Sequence, residues 1–371
     1  MQPFAVATST ANKSVDRRLK QSPVLSKSEC CRSRAVGMLF IGLRRRRYLY
    51  LLVCSQQSIF LLFFRQRRLQ IADRVLVSNT PARAAASRYL FRRVAMKKTL
   101  TIPSLVLRGD IKIPQVGLGV WKAGRGKSSL DAVAAALRLG YRHVDTAQAY
   151  GNEHEVGEAI RASGLKREEV FVTTKLWNDD QGYDPARRAF DASLVRLGFD
   201  YVDLYLLHWP VAGKRLDSWR ALEKLHAEGR ARAIGVSNFL VPHLEELLAH
   251  ASLPPSVNQI EVHPFHQQRE TRAFCEAQGI AVEAYSPLTH GTLIDHPVVT
   301  SVAQTVKKSN AQVLLRWGIQ HGMIVLPKSV SAARIEENAE VFDFALDLRE
   351  MRRLDDLEQG HATGWDPREQ A

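Results

Sequence analysis

Residues 201–238 read YVDLYLLHWPVAGKRLDSWRALEKLHAEGRARAIGVSN and divide into three parts. YVDLYLLH (201–208) is a short, nearly continuous apolar run, as expected of a strand buried on both faces. DSWRALEKLHAEG repeats its apolar residues at three- and four-residue spacing and closes on Gly229, the residue type usual just past a helix end. ARAIGVSN (231–238) is a second short apolar run. Strand, helix, strand predicts two parallel strands joined by a helical crossover.

The same alternation extends in both directions. Upstream lie QVGLGV (115–120), RHVDT (142–146) and VFVTTK (170–175); downstream lie SVNQIEV (256–262), IAVEAYSPL (280–288) and MIVLPKS (323–329). Between them stand helical patterns such as SSLDAVAAALRLG, EHEVGEAIRASG, PARRAFDASLVRLG and RETRAFCEAQG. Eight strand–helix units over residues 96–371 match the size of an α/β chain folded as a (β/α)8 TIM barrel. The rival is an open doubly wound sheet, but no GxGxxG follows the first strand. GLGVW (117–121) lacks the third glycine, and GRGKSS (124–129) has Trp121 where a phosphate-binding loop needs its first glycine.

Charge and cysteine divide the chain at one place. The net charge of +14 suggests a nucleic acid or a membrane, but residues 1–95 hold 19 basic residues against Asp16, Glu29 and Asp73. Residues 96–371 are left at −2, so the basicity says nothing about partners of the barrel. Cys30, Cys31 and Cys54 precede residue 96 and only Cys275 follows it, which excludes an internal disulfide or a thiolate zinc site there. A cytoplasmic protein is the natural expectation.

The basic N-terminal extension, 1–95, is Arg- and Ser-rich without sustained helix or strand periodicity. Its apolar run Tyr48–Phe64 is at the short limit for a spanning helix, is interrupted by SQQS, and has basic clusters at both ends. A transit or anchor segment and a nucleic-acid arm are alternatives. The expectation adopted is that 1–95 is disordered or upstream read-through, with Met96 as the natural start, because MKKTLTIPSL opens the ordered pattern.

Catalytic groups of such barrels sit at the carboxyl ends of strands. Those ends carry Asp145, Lys175 and His208, with Tyr150 in the loop GYRHVDTAQAYGNE. A phenol titrating near ~10 is a poor acid at neutral pH, and a nearby ammonium such as Lys175 would favour phenolate and lower that value. Asp145 would be the counter-ion of a buried lysine, and His208 could hold a carbonyl oxygen or pass a proton to the phenol. Singly, each has an ordinary structural explanation. Four mutually useful groups at matching strand ends point to polarising and protonating a carbonyl oxygen.

GYRHVDTAQAYGNE, DYVDLYLLHWP, IGVSNF, NQIEVHP, EAYSPL and LPKSV–ARIEEN, in this order, resemble the aldo-keto reductase superfamily from about residue 100 to 360. TTKLWNDD, HWPV and LDDLEQG look most like the bacterial 2,5-diketo-D-gluconate reductases. The resemblance implies NADPH-dependent reduction of aldehydes and ketones, without metal, by a catalytic tetrad of Asp145, Tyr150, Lys175 and His208 with Tyr150 as proton donor. It places Ser237, Asn238 and Gln259 at the nicotinamide carboxamide, Tyr285 on the nicotinamide ring, and Ser286 and Leu288 along the pyrophosphate. Lys328, Ser329 and Arg334 match the pocket for the adenosine 2′-phosphate, with Glu337 and Asn338 near the adenine. Two cations and a hydroxyl beside a helical turn also make a sound phosphate site on physical grounds.

Trp121, Trp177 and Trp209, with His208, would line the substrate pocket. The expected partner is a small carbonyl compound, met by a monomer with no nucleic acid and no membrane at the barrel. RGD (108–110) replaces the Asp-Gly turn usual in relatives, and KKSNAQ (307–312) has Lys307 and Asn310 where relatives often carry Gly and Pro. An alternative reading is a cofactor-sensing binding module resembling the channel-associated β subunits of the superfamily, which the N-terminal extension could serve. A metal-dependent hydrolase built on HPFH (263–266) lacks a carboxylate cluster to complete its site.

Overall fold

The computed structural model describes residues 100–370, with side chains to residue 368, and the backbone of three strands upstream. The chain divides into two units, residues 1–95 and 96–371. In the first, β1 (Leu39–Arg45), β2 (Tyr48–Ser55) and β3 (Ser58–Arg65) form an antiparallel sheet in that order. Aromatic and aliphatic residues favour strands in both arms, and Ser55 pairs with Ser58 across the reversal. The apolar run Tyr48–Phe64, interrupted in sequence by SQQS, is thus divided between antiparallel β2 and β3. The rest of the extension lies outside the described residues. No helix among the described residues is long and apolar enough to cross a membrane.

In the second unit a hairpin comes first, β4 (Ser104–Leu107) against β5 (Ile111–Pro114). Its turn is the departing RGD segment, with Gly109 at φ 78° and Asp110 at φ 58°. Glycine takes that region freely and aspartate tolerates it, so the reversed order of the two residues still closes the turn.

Eight parallel strands follow: β6 (Leu118–Gly119), β7 (His143–Asp145), β8 (Phe171–Leu176), β9 (Val202–Leu207), β10 (Ala231–Ser237), β11 (Val257–Glu261), β12 (Ala281–Tyr285) and β13 (Ile324–Leu326). Each pairs with the next, and Val116 and Gly119 bridge to Val325 and Lys328. First strand thus meets last, and the sheet closes into a barrel. The helices are α1 (Lys127–Leu139), α2 (Glu153–Ala162), α3 (Tyr183–Leu197), α4 (Arg215–Ala227), α5 (Val241–His250) and α6 (Arg269–Ala277), each after its strand. Two helices, α7 (Pro297–Val306) and α8 (Asn310–Gln320), follow β12; α9 (Ala332–Ala339) follows β13, and α10 (Leu348–Asp355) precedes the C-terminal tail. Lys307, just past α7, takes φ 55°, a left-handed conformation that explains why a glycine suits that position in relatives.

The period-two alternation of the strands sorts the core into two clusters. Outward residues such as Val144, Val172, Tyr205 and Ile234 pack against Phe190, Trp219, Leu222 and Trp317 of the helices. Inward residues Phe171, Leu204, Leu206, Val257 and Ile324 meet Leu107 and Ile113 of the β4–β5 hairpin. The hairpin thereby plugs the amino end of the barrel. Towards the carboxyl ends the interior turns polar, through buried His143, Thr173, Asp145, Lys175, Gln259 and Glu283. Helices α2 and α3 approach closely at Gly157, where a Cβ would stand 1.9 Å from the carbonyl oxygen of Leu197.

Candidate active site

Asp145 ends β7 and pairs in register with Gly119 and Thr173, so its side chain points inward beside Lys175 of β8. Tyr150 lies on a single helical turn, Gln148–Tyr150, closed by Gly151 at φ 64°. Buried Asn152 pins this loop: it accepts a hydrogen bond from the Thr146 hydroxyl (2.8 Å) and donates to the carbonyl of Val120 (3.0 Å). His208 directly follows β9, its backbone N–H bonded to the carbonyl of Leu176.

Lys175 organises the cluster. Its Nζ lies 2.7 Å from each oxygen of Asp145, 2.9 Å from the carbonyl oxygen of Thr146 and 3.3 Å from the hydroxyl of Tyr150. The lysine side chain is fully buried. Burial works against its charge, but Asp145 and then Tyr150 more than offset it, and Lys175 stays protonated with a raised pKa. The Tyr150 ring meets His208 edge-on, with centroids 5.8 Å apart.

One electrostatic expectation is corrected. The pKa of Tyr150 is raised, not lowered, because burial outweighs the downward pull of Lys175, and Asp145 adds to the rise. Lys175 limits the rise and gives the phenol a charged donor neighbour. Burial first, and Lys175 second, hold His208 well below its ordinary value, so it is a neutral imidazole at physiological pH. Its Nδ1 is buried without a partner. A neutral His208 can orient an oxygen by a hydrogen bond but does not enter as a charged acid.

Residues of the expected cofactor cradle surround this cluster. Ser237 donates to the carbonyl of Gln259 at 2.8 Å, and Asn238, at φ 64°, donates to the carbonyl of His208 at 2.9 Å. The Tyr285 hydroxyl donates to Asn238 Oδ1 at 2.8 Å, tying the end of β12 to that of β10. Ser286 follows at φ 48°, its hydroxyl 2.9 Å from His290, while Leu288 packs half-buried on the core. Lys328 and Ser329 leave β13 where the barrel closes, and Arg334 lies in the first turn of α9. Lys328 and Arg334 are exposed and enter no ion pair among the described residues. Asn338 is buried and Glu337 half-buried farther along α9.

The three tryptophans take different stations. Trp177 meets His208 edge-on at 5.1 Å, whereas Trp121 is 41% exposed, 5.3 Å from the His290 ring and under Lys122. Trp209 is buried against Trp365 of the C-terminal tail, centroids 5.8 Å apart. The tail is fastened by Glu261 of β11, which accepts from the backbone N–H of Thr363 (2.8 Å) and of Gly364 (2.9 Å), from the Thr363 hydroxyl, and lies 3.1 Å from His263 Nε2. Burial pushes the Glu261 pKa up, but His263 and Thr363 pull it down to about 2.

Sequence reasoning missed Glu261 as the tail's anchor, His290 as a neighbour of Trp121, and buried Glu283. The signal for Glu283 was present: in IAVEAYSPL it stands two residues before Tyr285, on the inward face of the same strand.

The Aldo/keto reductase family profile matches residues 115–359. The chain belongs to the aldo/keto reductase family. It is 50% identical over 263 residues to the glyoxal reductase of Bacillus subtilis (strain 168), covering 71% of this chain and 95% of that protein. It is 48% identical over 282 residues to the morphine 6-dehydrogenase of Pseudomonas putida, covering 72% and 95%. Among solved structures, the aldo/keto reductase of Brucella melitensis superposes with a TM-score of 0.67 at 48% identity, over 69% of this chain and all of that one. The Bombyx mori aldo-keto reductase in complex with NADP gives 0.67 at 37% identity, over 71% and 95%. The family's (β/α)8 barrel is the fold described above.

Proposed function

We propose that the protein reduces the carbonyl group of small aldehydes and α-dicarbonyl compounds with NADPH, Tyr150 delivering the proton. The observation that carries this reading is the position of Lys175 Nζ, 2.7 Å from both oxygens of Asp145 and 3.3 Å from the Tyr150 hydroxyl. A phenol whose hydroxyl touches a paired, charged ammonium can release its proton while negative charge develops on a nearby oxygen. Neutral His208, beside Tyr150 and Trp177, would orient the substrate oxygen.

The residues present fit NADPH. Exposed Lys328 and Arg334 flank the start of α9, where a phosphate would meet two cations and a helix N-terminus, with the buried Ser329 hydroxyl bonded to the backbone of Ser331 beside them. Tyr285, Ser237, Asn238 and Gln259 ring the barrel mouth next to the tetrad and would hold the nicotinamide. When bound, NADPH supplies the hydride. The half-buried and buried tryptophans then exclude water on the substrate side.

The similarity to a glyoxal reductase supports small α-dicarbonyls; TTKLWNDD, HWPV and LDDLEQG, which resemble 2,5-diketo-D-gluconate reductases, make that sugar acid a second candidate. The proposed setting is a monomer acting on a small molecule in the cytoplasm. The test is consumption of NADPH and of NADH by the full chain with glyoxal, methylglyoxal, 2,5-diketo-gluconate and aromatic aldehydes. Turnover with NADPH well above that with NADH is expected. A folded protein that binds NADPH and turns over none of them would overturn the reading.

A further inference from the structure

Below the tetrad lies a carboxyl group that the proposed chemistry does not use. Glu283, on β12, is fully buried. Its Oε2 accepts a hydrogen bond from Gln259 Nε2 at 2.6 Å, and the same nitrogen donates to Asp145 Oδ2 at 2.8 Å. Both oxygens of Asp145 accept from Lys175 Nζ, so the amide orientation follows from chemistry: the end of Gln259 that faces Asp145 is NH2, and the same nitrogen reaches Glu283. Both hydrogens of Gln259 are engaged, one on each carboxyl group. The amide oxygen is the hydrogen-bonding atom of that side chain left for another partner.

The second oxygen of Glu283 defines its protonation. Oε1 has no hydrogen-bond partner and lies 3.5 Å from His143 Nε2. His143 Nδ1 faces the carbonyl oxygen of Pro114 at 3.3 Å, so Nδ1 carries the hydrogen and Nε2 presents a lone pair, which faces the Thr173 hydroxyl at 3.3 Å as well as Glu283 Oε1. Burial holds this imidazole neutral, its pKa down at about 3. An oxygen facing a lone pair inside a barrel is stabilised by a proton and destabilised by a charge. Burial and the charge of Asp145 act in the same direction, raising the Glu283 pKa to about 8.

We infer that Glu283 is kept as a neutral acid and is a positioning residue of this site: through Gln259 it steadies the Asp145–Lys175 pair and leaves the Gln259 carbonyl oxygen to meet the carboxamide of the nicotinamide. The inference rests on the NADPH-dependent reading above. The groups that face Glu283 are Asp145 and His143 of β7, Lys175 of β8 and Gln259 of β11, with Tyr150 within electrostatic reach. Ionised Glu283 would place a second negative charge beside Asp145. That charge raises the Tyr150 pKa further and makes the phenol a weaker acid. Carbonyl reduction therefore declines as pH rises through about 8, the value for Glu283.

Two variants separate positioning from packing. Glu283→Gln keeps an acceptor for Gln259 and an N–H towards His143, mimicking the neutral acid without its titration. Glu283→Leu removes the bond to Gln259. The readouts are NADPH affinity by quenching of tryptophan fluorescence, kcat and KM over about pH 6 to 10, and thermal unfolding. The leucine variant is expected to bind NADPH about tenfold more weakly and to lose about tenfold or more in kcat. The glutamine variant is expected to stay within about threefold of wild type at neutral pH and to have its alkaline decline displaced upward by about one pH unit or more. Wild-type NADPH affinity in Glu283→Leu would overturn the inference, as would an unshifted alkaline decline in Glu283→Gln. If Glu283→Leu does not fold, the isosteric glutamine variant decides alone through its pH profile. If the wild-type chain reduces no carbonyl, the proposed function fails, and NADPH affinity still decides the role of Glu283.

Discussion

Lys175 Nζ sits equidistant, at 2.7 Å, from the two carboxylate oxygens of Asp145, and both side chains are buried. Removing one partner of such a pair strands the other charge. Asp145→Ala is expected to destabilise the barrel by about 3–5 kcal/mol. Urea unfolding at neutral pH checks it; a change below about 1 kcal/mol would mean that Lys175 sheds its proton or reaches water instead.

The 2′-phosphate site is tested by charge. Lys328→Ala and Arg334→Ala should each weaken NADPH binding about tenfold, leave NADH binding unchanged, and matter less at high salt. Equal losses for the two cofactors would place these cations elsewhere than at the 2′-phosphate.

Fastening of the C-terminal tail depends on ionised Glu261. Its folded pKa, about 2, is depressed from the ordinary 4.5. The latch therefore contributes fully above that ordinary value and is lost as pH falls through the folded one. Glu261→Ala should speed amide hydrogen exchange at Thr363 and Gly364 by about tenfold or more at neutral pH. Unchanged protection of these amides would show the tail to be held by its other contacts, the Trp209–Trp365 pair and the backbone bonds of Gln359 and His361 to Phe265.

Gly157 tests the α2–α3 approach. Gly157→Ala drives a methyl group into the carbonyl of Leu197 and should cost about 1–3 kcal/mol, with the activity of the folded fraction retained. Denaturant midpoints with unchanged slope read this directly.

The barrel was legible because each strand is a short apolar run ending in one chemically distinct residue, as in RHVDT, VFVTTK and YVDLYLLH. Those terminal residues are the ones that meet at Lys175. Two features were not legible and a third was legible only in position, for physical reasons. The net rise of the Tyr150 pKa depends on depth of burial, which no local pattern encodes. The tail is held chiefly through backbone N–H groups of Thr363 and Gly364, which leave no side-chain signature. The inward position of Glu283 could be read from its spacing to Tyr285, but its role could not, since a lone carboxyl group inside an apolar run resembles an ordinary interruption until Gln259 and Asp145 are seen around it.

The most direct measurement is single-turnover and steady-state reduction by Tyr150→Phe, alongside NADPH binding. Loss of the hydroxyl 3.3 Å from Lys175 should lower kcat by about 100-fold or more, with NADPH affinity within about twofold of wild type. Turnover close to wild type in a variant that binds NADPH normally would contradict Tyr150 as the proton donor, and with it the proposed mechanism.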